Sequence, residues 1–342
     1  MTKVATRALY TLSCPLSVMQ LRLLLLALSL CMACSGPQSA LAPAGKEAAD
    51  TAQLFFWMTA TFAVIWAAVM ALALLLPRLE SLATEQGGKW LIIGGGVILP
   101  VSVLTVLLVF GLASLRDTLR PGSDPLSLEI VGSQWWWRVR YHRASGGPVE
   151  AANEIRLPVG RRIEARVAST DVIHSFWIPA IAGKIDMIPG RVNRVQLEAT
   201  RAGTYRGACA EFCGTSHARM NLVVIVMEAA EFDRWLEGEA RPYDPSTATD
   251  AARRGQDAFF ERGCNTCHTV RGTTAVGVVG PDLTHLSTRQ SIAAGLLPMQ
   301  SDHLRHWIRN TVRLKPDVRM PAFDALPDST MDDLVAFLER LQ

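Results

Sequence analysis

Two stretches without a single charge restrict this chain more than anything else in it. LFFWMTATFAVIWAAVMALALLL, residues 54–76, and WLIIGGGVILPVSVLTVLLVFGL, residues 90–112, each run for 23 residues. At the rise of an α-helix such a run reaches about 34 Å, enough to cross a hydrocarbon core of roughly 30 Å. Two buried helices of a soluble domain would not need this length, so the pair predicts a transmembrane hairpin closed by PRLESLATEQGGK, residues 77–89. The glycine triplet at 94–96 suits close helix packing, and Pro100 is tolerated with a kink.

Ahead of the hairpin, Lys3 and Arg7 precede the short apolar run LLLLALSLCMA, residues 23–33, which reads as an export signal. Cys34 follows Met32 and Ala33 as in a bacterial lipoprotein cleavage site, although Cys31 stands where leucine is usual; Cys34 is the lipidation candidate. Arg78 and Lys89 in the loop are balanced by Arg116 and Arg120 beyond it, so charge alone does not orient the hairpin. The export signal does: the N-terminus lies outside, the loop in the cytoplasm, and everything after Arg116 outside. The net charge of +3 gives no reason to expect a nucleic-acid partner.

From residue 126 to 237 the pattern changes to short alternating runs. LSLEIVGSQWWWRVRY, NEIRLPVGRRIEARVAS, NRVQLEAT, GTYRGAC and MNLVVIVME read as strands of an antiparallel β sandwich or barrel. RPYDPSTATD, residues 241–250, reads as a linker. The last part is helical: DAARRGQDAFFERG, SDHLRHWIRN and STMDDLVAFLERLQ, the last with Ser329 and Asp332 as a capping box and an apolar stripe of Leu334, Phe337, Leu338 and Leu341. The expected layout is therefore multidomain: a presequence at 1–34, a hairpin at 45–118, an all-β domain at 122–240, the linker, and an all-α domain at 251–342.

Of the seven cysteines, Cys14 and Cys31 fall in the signal, Cys34 is the lipid candidate, and the other four form two close pairs. Disulfides closing such short loops would stabilise little. CNTCH, residues 264–268, is the attachment signature of a c-type haem: Cys264 and Cys267 reach the two vinyl groups and His268 ligates the iron. Met320 in VRMPAF is the best sixth ligand, with Met299 and Met331 as rivals. This segment resembles class I cytochrome c, in which GPDL (residues 280–283) would support the proximal histidine and MPAF would supply the axial methionine. His285, His303 and His306 have no comparable context and read as surface or structural residues.

CAEFCGTSHARM, residues 209–220, gathers Cys209, Cys213, His217 and Met220, soft ligands suited to copper. A cluster of two coppers needs one more histidine, and the β region offers His142 or His174. His174 in DVIHSFWIP is a polar residue between apolar neighbours, as on a strand facing a site.

At this point the β region resembles the binuclear copper domain of cytochrome c oxidase subunit II, a cupredoxin sandwich. The resemblance implies His174, Cys209, the Glu211 carbonyl, Cys213, His217 and Met220 as copper ligands, with both cysteines bridging. It implies the Glu211 carboxylate as a magnesium ligand at the contact with subunit I. Trp135 in QWWWRVRY corresponds to the tryptophan through which electrons enter, and KIDMIPGR (residues 184–191) is a further shared stretch. Hairpin, copper domain and fused cytochrome c together resemble subunit II of bacterial haem-copper oxidases of the cytochrome-c-fused type.

That resemblance implies a subunit of an enzyme rather than a complete one. Electrons from a periplasmic cytochrome c or a quinol–cytochrome c reductase would pass through its haem c and copper to subunit I. There oxygen is reduced to water with proton translocation; subunit III would be a further partner and the bacterial inner membrane the location. The family often has an acid at the cytoplasmic start of the second helix. Glu85 is the nearest here, and the loose alignment leaves it without an assigned role. Two alternatives remain: a copper-containing subunit of a nitric oxide reductase, told apart by oxygen uptake against NO consumption, and a membrane-anchored copper-binding protein, which would leave CNTCH without purpose.

Overall fold

Helix α1, Lys46–Leu75, takes in residues 54–75 of the first charge-free run and extends eight residues ahead of it. The computed structural model describes residues 35–75, 84–118, 120, 122 and 124–342; the expected signal at 1–34 and Cys34 lie outside them. The second run is a helix in two parts, α2 (Glu85–Ile93) and α3 (Leu99–Thr118), joined by the π-helical turn Gly94–Ile98. Thr84 caps α2 by accepting from the Gly87 N–H at 3.1 Å, and Glu85 pairs with Lys89 one turn on. The wide turn falls on the glycine triplet, just before Pro100, where the helical ladder must lose a donor. Most apolar side chains along the hairpin face outward, among them Trp66, Leu104 and Val106, as membrane-crossing helices require.

The β region is a sandwich of two five-stranded sheets. One holds β1 (Ser127–Ser133), β2 (Trp136–His142), β3 (Val149–Ala152), β5 (Arg162–Ser169) and β8 (Asn193–Glu198), in the order β3-β2-β1-β5-β8. The other holds β4 (Glu154–Pro158), β6 (His174–Ile178), β7 (Ala182–Met187), β9 (Gly203–Cys209) and β10 (Asn221–Met227), in the order β4-β10-β9-β6-β7. Leu128, Ile130, Trp137, Val139, Tyr141, Leu222 and Val224 alternate into the space between them, the period-2 burial that pins register. The expectation of an antiparallel domain is corrected: β1 pairs β5 and β4 pairs β10 in parallel. LSLEIVGSQWWWRVRY also divides into two strands, turning at Gln134 and Trp135.

The segment before α1 is stitched to this sandwich. Ala44 N–H donates to Ala180 O at 2.6 Å, Thr200 N–H donates to Ala44 O at 2.7 Å, and Arg206 N–H donates to Pro37 O at 2.9 Å. Helix α4 (Ala229–Glu239) closes the other end, laying Phe232 and Trp235 against Tyr141.

The C-terminal domain is built from α5 (Asp250–Glu261), α6 (Ser301–Leu314) and α7 (Asp328–Leu338). The apolar stripe of Leu334, Phe337, Leu338 and Leu341 is buried as expected, and Gly255 lets α5 cross α7 at close range. Within residues 241–250, read as a linker, Tyr243 is buried, its ring 5.8 Å from that of Phe337. One expectation fails. Ser329 and Asp332 form no capping box, because Pro327 takes the cap position and makes no side-chain bond.

Candidate metal centres

The copper candidates converge at one end of the sandwich. Cys209 ends β9 and its neighbour β6 begins at His174, while the loop after β9 folds back so that Cys213, His217 and Met220 meet them. Ligand atoms of His174, Cys209 and Cys213 all lie within 4.8 Å of one another. The two sulfurs are 3.8 Å apart, and each has an imidazole of its own. His174 Nδ1 is 3.8 Å from Cys209 Sγ, and His217 Nδ1 is 3.4 Å from Cys213 Sγ. Met220 Sδ stands 3.9 Å from Cys213 Sγ and the Glu211 carbonyl 3.1 Å from Cys209 Sγ. All six predicted groups are thus brought together, while the Glu211 side chain is exposed beside the exposed Phe212. His142, the rival histidine, lies at the far end of β2 against Glu129.

This donor set fits copper: soft sulfurs and imidazoles, largely out of water. The paired thiols share a proton, which favours the thiolate on Cys209 and holds Cys213 protonated; a metal would replace that proton. Burial works against a charged His174, yet its hydrogen bonds to Cys209 and Asp171 outweigh burial and raise its pKa.

Sequence reasoning missed the residue that aims His174. Asp171 Oδ1 accepts from His174 Nε2 at 2.9 Å, which turns Nδ1 toward the sulfurs. Asp171 is itself held by the N–H groups of Gln134 (2.8 Å) and Val172 (2.7 Å). An acid three residues ahead of a candidate ligand histidine was the available signal. Asp171→Asn is expected to lower copper affinity by about 10- to 100-fold with the fold intact, checked by copper titration of the purified protein. The Cys213 carbonyl is likewise gripped, by Gln134 Nε2 at 2.8 Å and Trp135 Nε1 at 3.0 Å.

The haem candidates line a cavity of about 870 Å³ between the C-terminal domain and the sandwich. Cys264, Cys267, His268, Leu283 and Met320 form one side, and Trp135 and Trp136 lie on the other. His268 Nδ1 donates to the Pro281 carbonyl at 2.8 Å, which leaves Nε2 as the lone pair for a metal. Burial also pushes His268 toward the neutral form that ligates. Gly280 is required here, since a Cβ on it would fall 2.5 Å from His268 Cε1. A large cavity carrying two free thiols, a neutral imidazole and a thioether fits a covalently attached haem. Of the rival methionines, Met331 is wholly buried in the helical core and Met299 packs on that core away from the cavity lining. His285 is buried with Nε2 on the Arg241 carbonyl, a structural place. Trp135, expected where electrons enter, is only 4 % exposed.

Known proteins match the two regions in which these residues lie. The family described as cytochrome C oxidase subunit II, periplasmic domain, matches residues 143–227, and the family described as cytochrome c matches residues 252–342. Cytochrome c oxidase subunit 2 of Alkalihalophilus pseudofirmus is 34 % identical over 251 residues, 72 % of this chain and 71 % of the relative. The subunit 2 of Bacillus subtilis is 29 % identical over 276 residues, 75 % and 76 % of the two chains. The crystal structure of the periplasmic domain of subunit II of cytochrome oxidase of Bradyrhizobium japonicum covers 35 % of this chain and 96 % of that one, at 33 % identity and a TM-score of 0.33.

Proposed function

The chain belongs to the cytochrome c oxidase subunit II family and is an electron-transfer subunit of a haem-copper oxidase, and on that premise we propose that its two loops hold a copper pair and a haem c in series. Membership brings copper to the sandwich, haem to the C-terminal domain, and subunit I as the partner of a membrane-anchored chain with exported domains.

The observation that carries the two-copper reading is the pairing of each sulfur with its own imidazole. His174, His217, Cys209 and Cys213 would hold the coppers, with Met220 and the Glu211 carbonyl as weaker donors. When bound, a thiolate-bridged copper pair supplies one-electron exchange with little change in geometry. The chain's own residues prepare for that: Asp171 fixes His174, Gln134 and Trp135 fix the Cys213 peptide, and the strands keep the loop rigid. The exposed Glu211 carboxylate offers a magnesium ligand toward subunit I. In the C-terminal domain Cys264 and Cys267 would attach the haem, and His268 and Met320 would hold its iron, a donor pair that favours a raised potential.

A periplasmic cytochrome c or a quinol–cytochrome c reductase supplies the electrons, with subunit III a further partner in the bacterial inner membrane. Subunit I then reduces oxygen to water and translocates protons. The test is spectroscopy of the purified protein loaded with copper and haem. A multi-line EPR signal from one electron shared by two coppers, beside a c-type haem band, is expected. A mononuclear copper signal alone would sink the reading. Met220→Leu is expected to keep the shared-electron signal while shifting the copper potential, read by redox titration.

A further inference from the structure

Lys315 is the least expected buried residue in the molecule. It follows α6 in the loop that leads to Met320, is 2 % exposed, and sits between the two exported domains. Its Nζ lies 2.6 Å from the Trp135 carbonyl and 3.2 Å from the Ala293 carbonyl. Among the described residues no carboxylate pairs with it, and burial pushes its pKa down to about 7. A cation placed so, on carbonyls alone, is costly and calls for a local reason.

The surroundings supply that reason. The next residue, Pro316, accepts from Ser216 Oγ at 2.7 Å, and Ser216 is wholly buried in the copper loop between Cys213 and His217. Ala293 and Ala294 hold φ of 55° and 62°, a backbone that residues with a Cβ avoid. There the Ala293 carbonyl meets Lys315, and the Ala294 carbonyl meets the N–H of Asn221 at 3.2 Å, next to Met220. The peptide that Lys315 grips belongs to Trp135, whose indole in turn grips the Cys213 carbonyl.

We propose that Lys315 and Ser216 form a clamp that fixes the C-terminal domain on the copper-loop face in one orientation, sealing Trp135 inside and closing it to an outside donor. The proposal rests on the two-site reading above, with Lys315 and Ser216 as positioning residues rather than ligands. An external donor therefore meets the C-terminal domain and not the sandwich.

The test is hydrogen–deuterium exchange on the full detergent-solubilised chain, measured both without cofactors and loaded. In Lys315→Met/Ser216→Ala, amides of residues 134–137 and 216–222 are expected to exchange about tenfold faster or more, as for the loss of interdomain hydrogen bonds. Amides of β5 and of α5 to α7 keep their wild-type protection. Lys315→Arg with Ser216→Thr, which retains both donors, restores slow exchange at 134–137. Wild-type protection of these segments in the double variant overturns the clamp. Should that variant misfold, Ser216→Ala alone is read in the same segments, with partial loss expected and no loss counting against the clamp. Failure of the two-site reading would appear separately, as missing copper or haem spectra in the wild type, because exchange in the cofactor-free chain does not depend on them.

Discussion

Cys213→Ser is expected to abolish the binuclear copper signal while leaving the sandwich folded. Its side chain touches three other candidate ligands: the sulfur lies 3.8 Å from Cys209 Sγ, 3.4 Å from His217 Nδ1 and 3.9 Å from Met220 Sδ. A serine oxygen is harder, and it does not give up its proton near neutral pH as a metal-bound thiol does. Loss of a ligand therefore exceeds the roughly 10- to 100-fold penalty typical of disturbing an outer partner. The backbone should survive, because the bonds from Gln134 and Trp135 go to the Cys213 carbonyl and not to its side chain. Copper titration and EPR check this; an unchanged shared-electron signal in the variant would refute the bridging role.

The largest effect on stability is expected from Gly255→Val in the C-terminal domain. A Cβ at Gly255 would stand 1.8 Å from the Asp333 carbonyl oxygen, 2.5 Å from its carbon and 2.9 Å from Phe337 Cβ. Two of these are backbone atoms of α7, so no rotamer change relieves the clash and the helices must part. That separation loosens the contact between the rings of Phe259 and Phe337, now 5.5 Å apart. Overpacking costs about 1–3 kcal/mol and sometimes more, and each kcal/mol moves the midpoint of so small a domain by roughly 4–8 °C. A fall of about 10 °C or more in the C-terminal transition, with the sandwich transition unmoved, is the calorimetric expectation. A midpoint within about 2 °C of wild type would show that α5 and α7 do not cross this closely.

What could be read from the sequence was what a short window contains. Charge-free runs announce a membrane hairpin because length and polarity are local properties. CNTCH and CAEFCGTSHARM carry most of their candidate ligands side by side, and His174 stood out as a polar residue amid apolar ones. What depended on distant partners was not legible. The parallel pairings β1·β5 and β4·β10 join strands whose alternation looks the same in either direction. Tyr243 sat in a stretch with a linker's composition, and only the helix it packs against gave it a place. The capping box failed because Pro327, with its fixed φ, sets the helix start ahead of Ser329. Nothing beside Lys315 in the chain marks it as buried, since groups that cover it, the Trp135 carbonyl among them, come from another domain.

The π turn at Gly94–Ile98 bears on how the hairpin meets its partner in the membrane. Each residue of a helix advances about 100° around the axis, so a turn that takes in one extra residue offsets all that follows by about that angle. A single helical wheel drawn through residues 85–118 would therefore assign the wrong side chains to the same stripe. The residues of α2 and α3 have to be plotted in two separate frames, and two flanks of the bilayer-spanning rod, rather than one, are offered to neighbouring helices.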